Sequence, residues 1–236
     1  MPSPSSPRWI VFDAVGTLLT PRPAVADAYH SAGRRFGSRL TRDEIDRRFK
    51  SAFRDSEIRC FPGDRRGRTS EPEESARWRW IVQQVLPDVT DGDACFSELW
   101  NHFAEPASWN VYDDVGPTLT ALCRSGYQLA MASNFDSRLH RICESFAVLR
   151  PIPLRLVSSE VVFRKPAADF YRAILSTCQA APEEVLVVGD DLGGDVEGPR
   201  ACGMASIWLD RRGTRNETGV PSIPSLAALA PRLQER

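Results

Sequence analysis

The chain has 236 residues, of which 42% are hydrophobic and 26% charged, the usage of a globular protein long enough to bury a substantial core. Thirty basic residues against thirty-one acidic ones leave a net charge of −1 and a pI near 6.3. No global field therefore draws nucleic acid or an anionic membrane, and neither is expected as a partner.

The N-terminus, MPSPSSPR, is a short polar lead-in, and the apolar run behind it is broken by Asp13. That pattern fits neither a signal peptide nor a membrane span. A first strand is predicted over Trp9–Asp13. From about Pro21 to Ser108 the patterns are helical throughout: Ala24–Phe36, Asp43–Arg54, Glu73–Leu86 and Asp93–Phe103, with Phe61–Ser70 (FPGDRRGRTS) as a loop on its turn chemistry. Strand and helix then alternate. Strands fall at Tyr127–Ala132, Leu154–Val157, Val185–Gly189 and Ala205–Leu209, and helices at Gly116–Arg124, Phe135–Phe146, Ala167–Cys178 and Gly194–Cys202. The stretch from Gly213 to Pro224 reads as loop, followed by a short helix. Alternation of this kind predicts parallel strands joined by crossover helices, a doubly wound, Rossmann-like α/β sheet of five mainly parallel strands. An all-helical cap over residues 21–108 is inserted into a discontinuous core of residues 1–20 and 109–236. Six cysteines (Cys60, Cys95, Cys123, Cys143, Cys178, Cys202) form no CxxC pair and have no histidine at metal spacing, which suits reduced, mostly buried thiols and a cytoplasmic location.

Ligand crevices in open α/β sheets lie beyond the carboxyl ends of the strands. The residues there are Asp13, Ser133 with Asn134, and Asp190 with Asp191 and Asp195, while Lys165 lies in the loop after the Leu154–Val157 strand. Taken singly, each has a plain reading: a turn residue, a helix N-cap, solvated acids, a surface lysine. Of thirty basic residues, however, Lys50 and Lys165 are the two lysines, and a compact point-charge donor in a tight site is what arginine replaces poorly. Together the set offers a nucleophilic carboxylate and oxyanion binding by the Ser133 hydroxyl with the amides of the following helix. It also offers a lysine to neutralise anionic charge and acids for a hard cation such as Mg²⁺.

The order FDAVGTL, ASN after a strand, RKP and GDDLGGD resembles the four motifs of the haloacid dehalogenase-like (HAD) hydrolase superfamily, and the helical insertion after the first motif resembles that superfamily's cap. The stretches AYHSAGRRFG, RRFKSAFR, RWRWIV, SNFDSRL and GDVEGPRACGM carry the likeness over nearly the whole chain. The resemblance implies that Asp13 attacks the substrate and forms an aspartyl intermediate. Thr17 and Ser133 would bind the transferring group, Asn134 would line the site, and Lys165 would hold nucleophile and intermediate. Mg²⁺ would be bound by Asp13, Asp190 and the Val15 carbonyl, with Asp195 on the metal or ordering its waters. The substrate class implied is a small phosphorylated metabolite.

Val15 departs from the pattern. Family phosphatases carry a second aspartate there, which protonates the leaving alkoxide and then activates water. Such catalysis contributes about 10²–10⁴-fold, or roughly 3–5 kcal/mol of barrier. Three readings stay open: a phosphohydrolase impaired or altered toward substrates whose leaving group needs little protonation, such as acyl or aryl phosphates; a weak or inactive homologue that binds a phospholigand or a protein; and a dehalogenase-like hydrolase. The superfamily's dehalogenases place an aromatic residue where Val15 sits and lack the acid that Asp190 supplies. A Schiff-base reaction through Lys50 is a further option, set against Lys50's surface-like RRFK surroundings. In the cap, Tyr29, Arg48, Arg54, Trp78 and Trp80 are candidates to reach a substrate.

Overall fold

The computed structural model describes residues 7–59, 67–213 and 219–234. In chain order the elements are β1 (Trp9–Phe12), β2 (Leu19–Pro21), α1 (Val25–Arg35), α2 (Arg42–Arg59), α3 (Glu71–Val85), α4 (Gly92–His102), β3 (Trp109–Val111) and α5 (Val115–Arg124). They continue with β4 (Gln128–Ser133), α6 (Arg138–Ser145), β5 (Leu154–Val157), α7 (Ser158–Val161), α8 (Ala168–Cys178) and β6 (Val185–Gly189). A π-helical turn (Leu192–Glu197) running into α9 (Gly198–Ala201), β7 (Ala205–Leu209), β8 (Ser222–Ile223) and α10 (Leu229–Gln234) complete the described chain.

The main sheet has the order β5-β4-β1-β6-β7-β8, and every neighbouring pair in it is parallel. Its central strands are apolar at every position because both faces are covered. Ile10, Phe12, Met131, Leu186 and Val188 meet Leu119, Leu122 and Ile142 of α5 and α6 on one face. Val11, Ala130 and Val187 meet Phe170 and Ile174 of α8 on the other. The period-two alternation in one strand thus feeds two separate cores.

The sheet has six strands rather than five. The sixth, β8, lies in the stretch expected to be loop and pairs with β7 through Trp208↔Ser222 and Leu209↔Ile223. Two residues are too few to carry an alternation signal, so this pairing is set by β7 and not by local pattern. The helix expected at Gly194–Cys202 is split between the π-turn and α9. Most of the expected Phe61–Ser70 loop, and Cys60, lie outside the described residues, while Arg68 bridges antiparallel to Phe163. Cys95, Cys143 and Cys178 are buried, Cys202 is half-buried and Cys123 is exposed, all as free thiols. No described helix is long and apolar enough to cross a membrane.

Helices α1–α4 build a third core of their own around Tyr29, Ile45, Ile81, Val85, Phe96 and Leu99. The chain leaves for them and returns through the antiparallel ribbon β2–β3, with Leu19 opposite Val111 and Pro21 opposite Trp109. This ribbon, which the sequence did not announce, flanks the helical segment at its two ends. Its strands are three residues long, and one carries a proline.

Candidate active site

Asp13 stands one residue past β1, its amide bonded to the Val188 carbonyl at 2.9 Å, and the residue is 7% exposed. A buried carboxylate needs partners. Its Oδ1 accepts from Lys165 Nζ at 2.7 Å and from Ser133 Oγ at 3.1 Å, while Oδ2 accepts no hydrogen bond from a described residue. Lys165 also donates to Asp195 Oδ1 at 2.6 Å. Asp195 Oδ2 in turn accepts from the Asp191 amide at 3.1 Å. Burial alone would strip the Lys165 charge, but the two carboxylates against it reverse that and hold the proton firmly.

Asn134 fixes Lys165 through its backbone. The Asn134 Oδ1 accepts the Lys165 amide at 2.8 Å and its Nδ2 donates to the Lys165 carbonyl at 3.0 Å. Thr17 is fully buried, with its hydroxyl turned toward Asp190 Oδ1 at 3.5 Å. One part of the sequence expectation fails. Helix α6 begins at Arg138, not at Phe135, and the Ser137 amide at its start is taken by Glu71 Oε1 of α3 at 2.9 Å. The amide of that helix cap therefore does not join Ser133 in an oxyanion site.

Oxygens of Asp13, Asp190 and Asp195 lie within 4.8 Å of one another, a set of hard donors that suits Mg²⁺. Asp190 is held at the mouth by Trp208 Nε1, which donates to its carbonyl at 3.1 Å. Gly16, at φ +91°, lets the carboxylate in, since a Cβ there would stand 2.3 Å from Asp190 Oδ2. Gly189 does the same for Asp195, whose Cγ would lie 2.2 Å from its Cβ. Loss of water and the neighbouring negative charges of Asp13 and Asp195 push Asp190 up to about 7. Asp195 is pushed up to about 6, first by burial, with the Lys165 ammonium opposing the rise. A group of acids raised in this way is primed for a cation that would relieve it. The Val15 carbonyl accepts no hydrogen bond from a described residue.

Several supporting residues escaped the sequence reading. Arg211, just past β7, donates to both Asp114 oxygens at 2.8 and 2.9 Å and to the Thr17 carbonyl at 2.8 Å, which pins the loop after β1. Tyr171 OH holds the Gly194 carbonyl at 2.7 Å beside the acids. Arg164, next to Lys165, reaches into the helical insert, to Glu57 at 2.9 Å and Glu74 at 3.3 Å. Local pattern holds no signal for such contacts. Each joins elements far apart in the chain.

Above the polar floor lies a cavity of about 370 Å³, bounded by Val15, Gly16, Asn134 and Asp190 below and by helices α1–α4 above. Ten of its twenty-one lining residues are aromatic. Of the cap candidates, Tyr29 and Trp78 line it. Trp80 lines a second, smaller cavity beside Arg77 and Arg164, and Arg48 and Arg54 are exposed. Lys50 is exposed and paired with Asp46 at 2.5 Å, as its surroundings in the sequence suggested.

The family model for haloacid dehalogenase-like hydrolases matches residues 7–203. Haloacid dehalogenase-like hydrolase domain-containing protein 3 from Homo sapiens is 29% identical over 239 residues, covering 96% of this chain and 93% of the relative. Phosphoserine phosphatase from Thermus thermophilus is 33% identical over 110 residues, 46% of this chain and 44% of the relative. Among solved structures, L-2-haloacid dehalogenase from Xanthobacter autotrophicus superimposes with a TM-score of 0.74 at 18% identity, covering 97% and 98% of the two chains. That likeness is one of fold. The chain belongs to the haloacid dehalogenase-like hydrolase family.

Proposed function

We propose that the protein is a Mg²⁺-dependent phosphohydrolase that acts through an aspartyl nucleophile on a small phosphorylated molecule. The observation that carries this reading is the three-carboxylate cluster facing a buried Lys165, because so much gathered negative charge has a use only when a cation and an anionic group complete it. Residues 21–108 act as a cap over a core formed by 1–20 and 109–236. Asp13 and Asp190, with the Val15 carbonyl, would hold the ion, and Asp195, both of whose oxygens already accept hydrogen bonds, would order its surroundings. A bound Mg²⁺ supplies charge neutralisation for the phosphoryl oxygens.

Asp13 Oδ2 is the attacking atom, since Oδ1 is tied to Lys165 and Ser133. Attack forms an aspartyl phosphate as the bond to the leaving oxygen breaks. Lys165 balances the anion on both nucleophile and intermediate, Ser133 and Thr17 steady the transferring group, and Asn134 keeps the lysine in place. Val15 moves no proton, so the leaving group departs unassisted from that side. The reaction then favours substrates with good leaving groups.

The test is hydrolysis of acetyl phosphate and p-nitrophenyl phosphate with and without Mg²⁺, with Asp13→Asn as the blank. Mg²⁺-dependent turnover, reduced at least about 10³-fold in the variant, is expected. Silence from a well-folded wild-type protein, or turnover that survives Asp13→Asn, overturns the reading. Binding of phosphate without turnover would make the chain a phospholigand-binding homologue instead.

A further inference from the structure

The cavity over the proposed nucleophile is walled largely by rings. Its roof presents Tyr29, Phe49, Trp78, Phe96, Trp100 and Phe103, drawn from all four helices of the insert. Its floor opens at Val15 and Asn134, beside the nucleophile's strand end. A substrate whose phosphoryl group meets Asp13 therefore lays its leaving portion against rings. Stacked and edge-to-face contacts with aromatic groups are what such walls reward. The volume, about 370 Å³, lies at the small end of small-molecule sites, about 300–1,000 Å³, and suits one or two rings rather than a polymer.

Polar side chains make up a third of the lining: Thr20, Tyr29, Tyr112, Asn134, Arg138, Asp190 and Arg212. Tyr29 is 1% exposed and lines the space, and its hydroxyl hydrogen-bonds to no described residue. Burial pushes that phenol up, which makes it a poor acid but leaves it a donor for a ring substituent. Arg138 is already committed to Asp136 and to the Trp100 carbonyl, and arginine does not release a proton. Among the described lining residues the carboxylic acid is Asp190, which the proposed reading gives to the cation. The cavity thus welcomes an aromatic leaving group and, among its described lining residues, offers it no carboxylic acid besides Asp190.

We infer that the substrates are aryl phosphate monoesters, whose ring occupies the aromatic cavity and whose phenolate leaves without protonation at Val15. This rests on the phosphohydrolase reading above. Asp13 Oδ2 forms a bond to phosphorus, and the phosphorus–oxygen bond to the ring breaks with its electron pair on the phenolate, which takes a proton from water. The hydroxide so left attacks the aspartyl phosphate, restoring the Asp13 carboxylate and releasing hydrogen phosphate. The sum is one ester and one water in, one phenol and one phosphate out.

The experiment is inhibition of wild-type acetyl phosphate hydrolysis by phenylphosphonate and by methylphosphonate, repeated with Val25→Trp, which places an indole in the cavity. Phenylphosphonate is expected to inhibit at least about 10-fold more tightly, and the preference to collapse in Val25→Trp while circular dichroism stays native. Equal inhibition by the two compounds in an enzyme that turns over acetyl phosphate overturns the aryl assignment alone. No turnover of acetyl phosphate overturns the phosphohydrolase reading and this one with it. A preference that survives Val25→Trp in a folded variant places the ring elsewhere and overturns the assignment to this cavity.

Discussion

The floor and the roof of the site are made by opposite means. The floor is a handful of polar and charged groups at or just past the ends of β1, β4 and β6 and on the loop before α8, tied to one another by hydrogen bonds and, apart from Asp190 at the mouth, nearly dry: Lys165 is 5% exposed and Asp195 1%. The roof is a shell of rings on α1–α4, held by area rather than by direction, and one of its members, Phe53, is 39% exposed. Directional contacts in low dielectric fail abruptly when one partner is lost, whereas apolar contacts lose strength in proportion to the area removed. On the proposed reading, the chemistry falls to the part where geometry is rigid, and the selection of substrate to the part where packing can be traded.

Lys165→Met presses on this contrast hardest. It leaves Asp13 and Asp195 facing one another without a cation, both buried. Turnover should become undetectable, and stability should fall by about 3–5 kcal/mol in chemical denaturation. Lys165→Arg should not restore activity, because the planar fork does not fit a point-charge position. The matching truncation in the roof, Phe53→Ala, should cost under about 1 kcal/mol. Similar losses from the two would mean that the floor is no stiffer than the roof.

The same division explains what could be read from the chain. The floor was legible because three of its residues follow apolar runs that end abruptly: WIVF before Asp13, MAS before Asn134, VVG before Asp190. Strand ends converge in a parallel sheet, so Ser133, 120 positions from Asp13, could be placed beside it, while Lys165, 152 positions away on a loop, stood out as one of two lysines among thirty basic residues. Five of the six strands fell within a residue or so of their observed limits. The two-residue β8 and the β2–β3 ribbon did not, since pairing of that length is dictated by the partner strand. The roof was illegible for a different reason. Tyr29 and Trp78 line the cavity while Trp80 does not, and at helical spacing only the packing of four helices against each other decides which face of each looks down. Arg211 and Arg164 stayed hidden because their partners lie 194 and 107 residues away with no motif to announce them.

A substitution at the boundary between floor and roof sharpens the comparison. Val15 is half-buried and lines the cavity. Val15→Asp should raise turnover of an alkyl phosphate such as glycerol phosphate by about 10-fold or more, and leave p-nitrophenyl phosphate within about threefold, because a phenolate gains little from an acid. Equal gains on both esters would show that the leaving group's need for a proton is not what Val15 selects against.

The smallest effect expected is one of stability, and its sign follows from the crowded acids. Asp190 stands at about 7 in the folded chain against an unfolded value of 3.8, raised by loss of water and by the charges of Asp13 and Asp195. A carboxyl group raised on folding binds its proton more tightly in the native state. Its contribution is therefore fully present below the unfolded value and is lost as pH climbs through the folded one. Without divalent cation, the protein should lose stability between about pH 4 and pH 7 on this account. Asp190→Asn removes the charge that the fold resists. It should raise the melting temperature at pH 7.5 by a few degrees, about 1 kcal/mol, a modest figure because the Asp190 side chain is open to solvent at the mouth. The gain should vanish below about pH 4, where the wild-type carboxyl is already protonated, and should reverse in saturating Mg²⁺, which stabilises the wild type and has lost a ligand in the variant. Differential scanning fluorimetry over pH, with and without Mg²⁺, reads all three. A melting temperature for Asp190→Asn that stays below wild type at pH 7.5 in the absence of cation would mean that Asp190 is held by favourable contacts and not against repulsion, and the floor would be a settled network rather than one waiting for a metal.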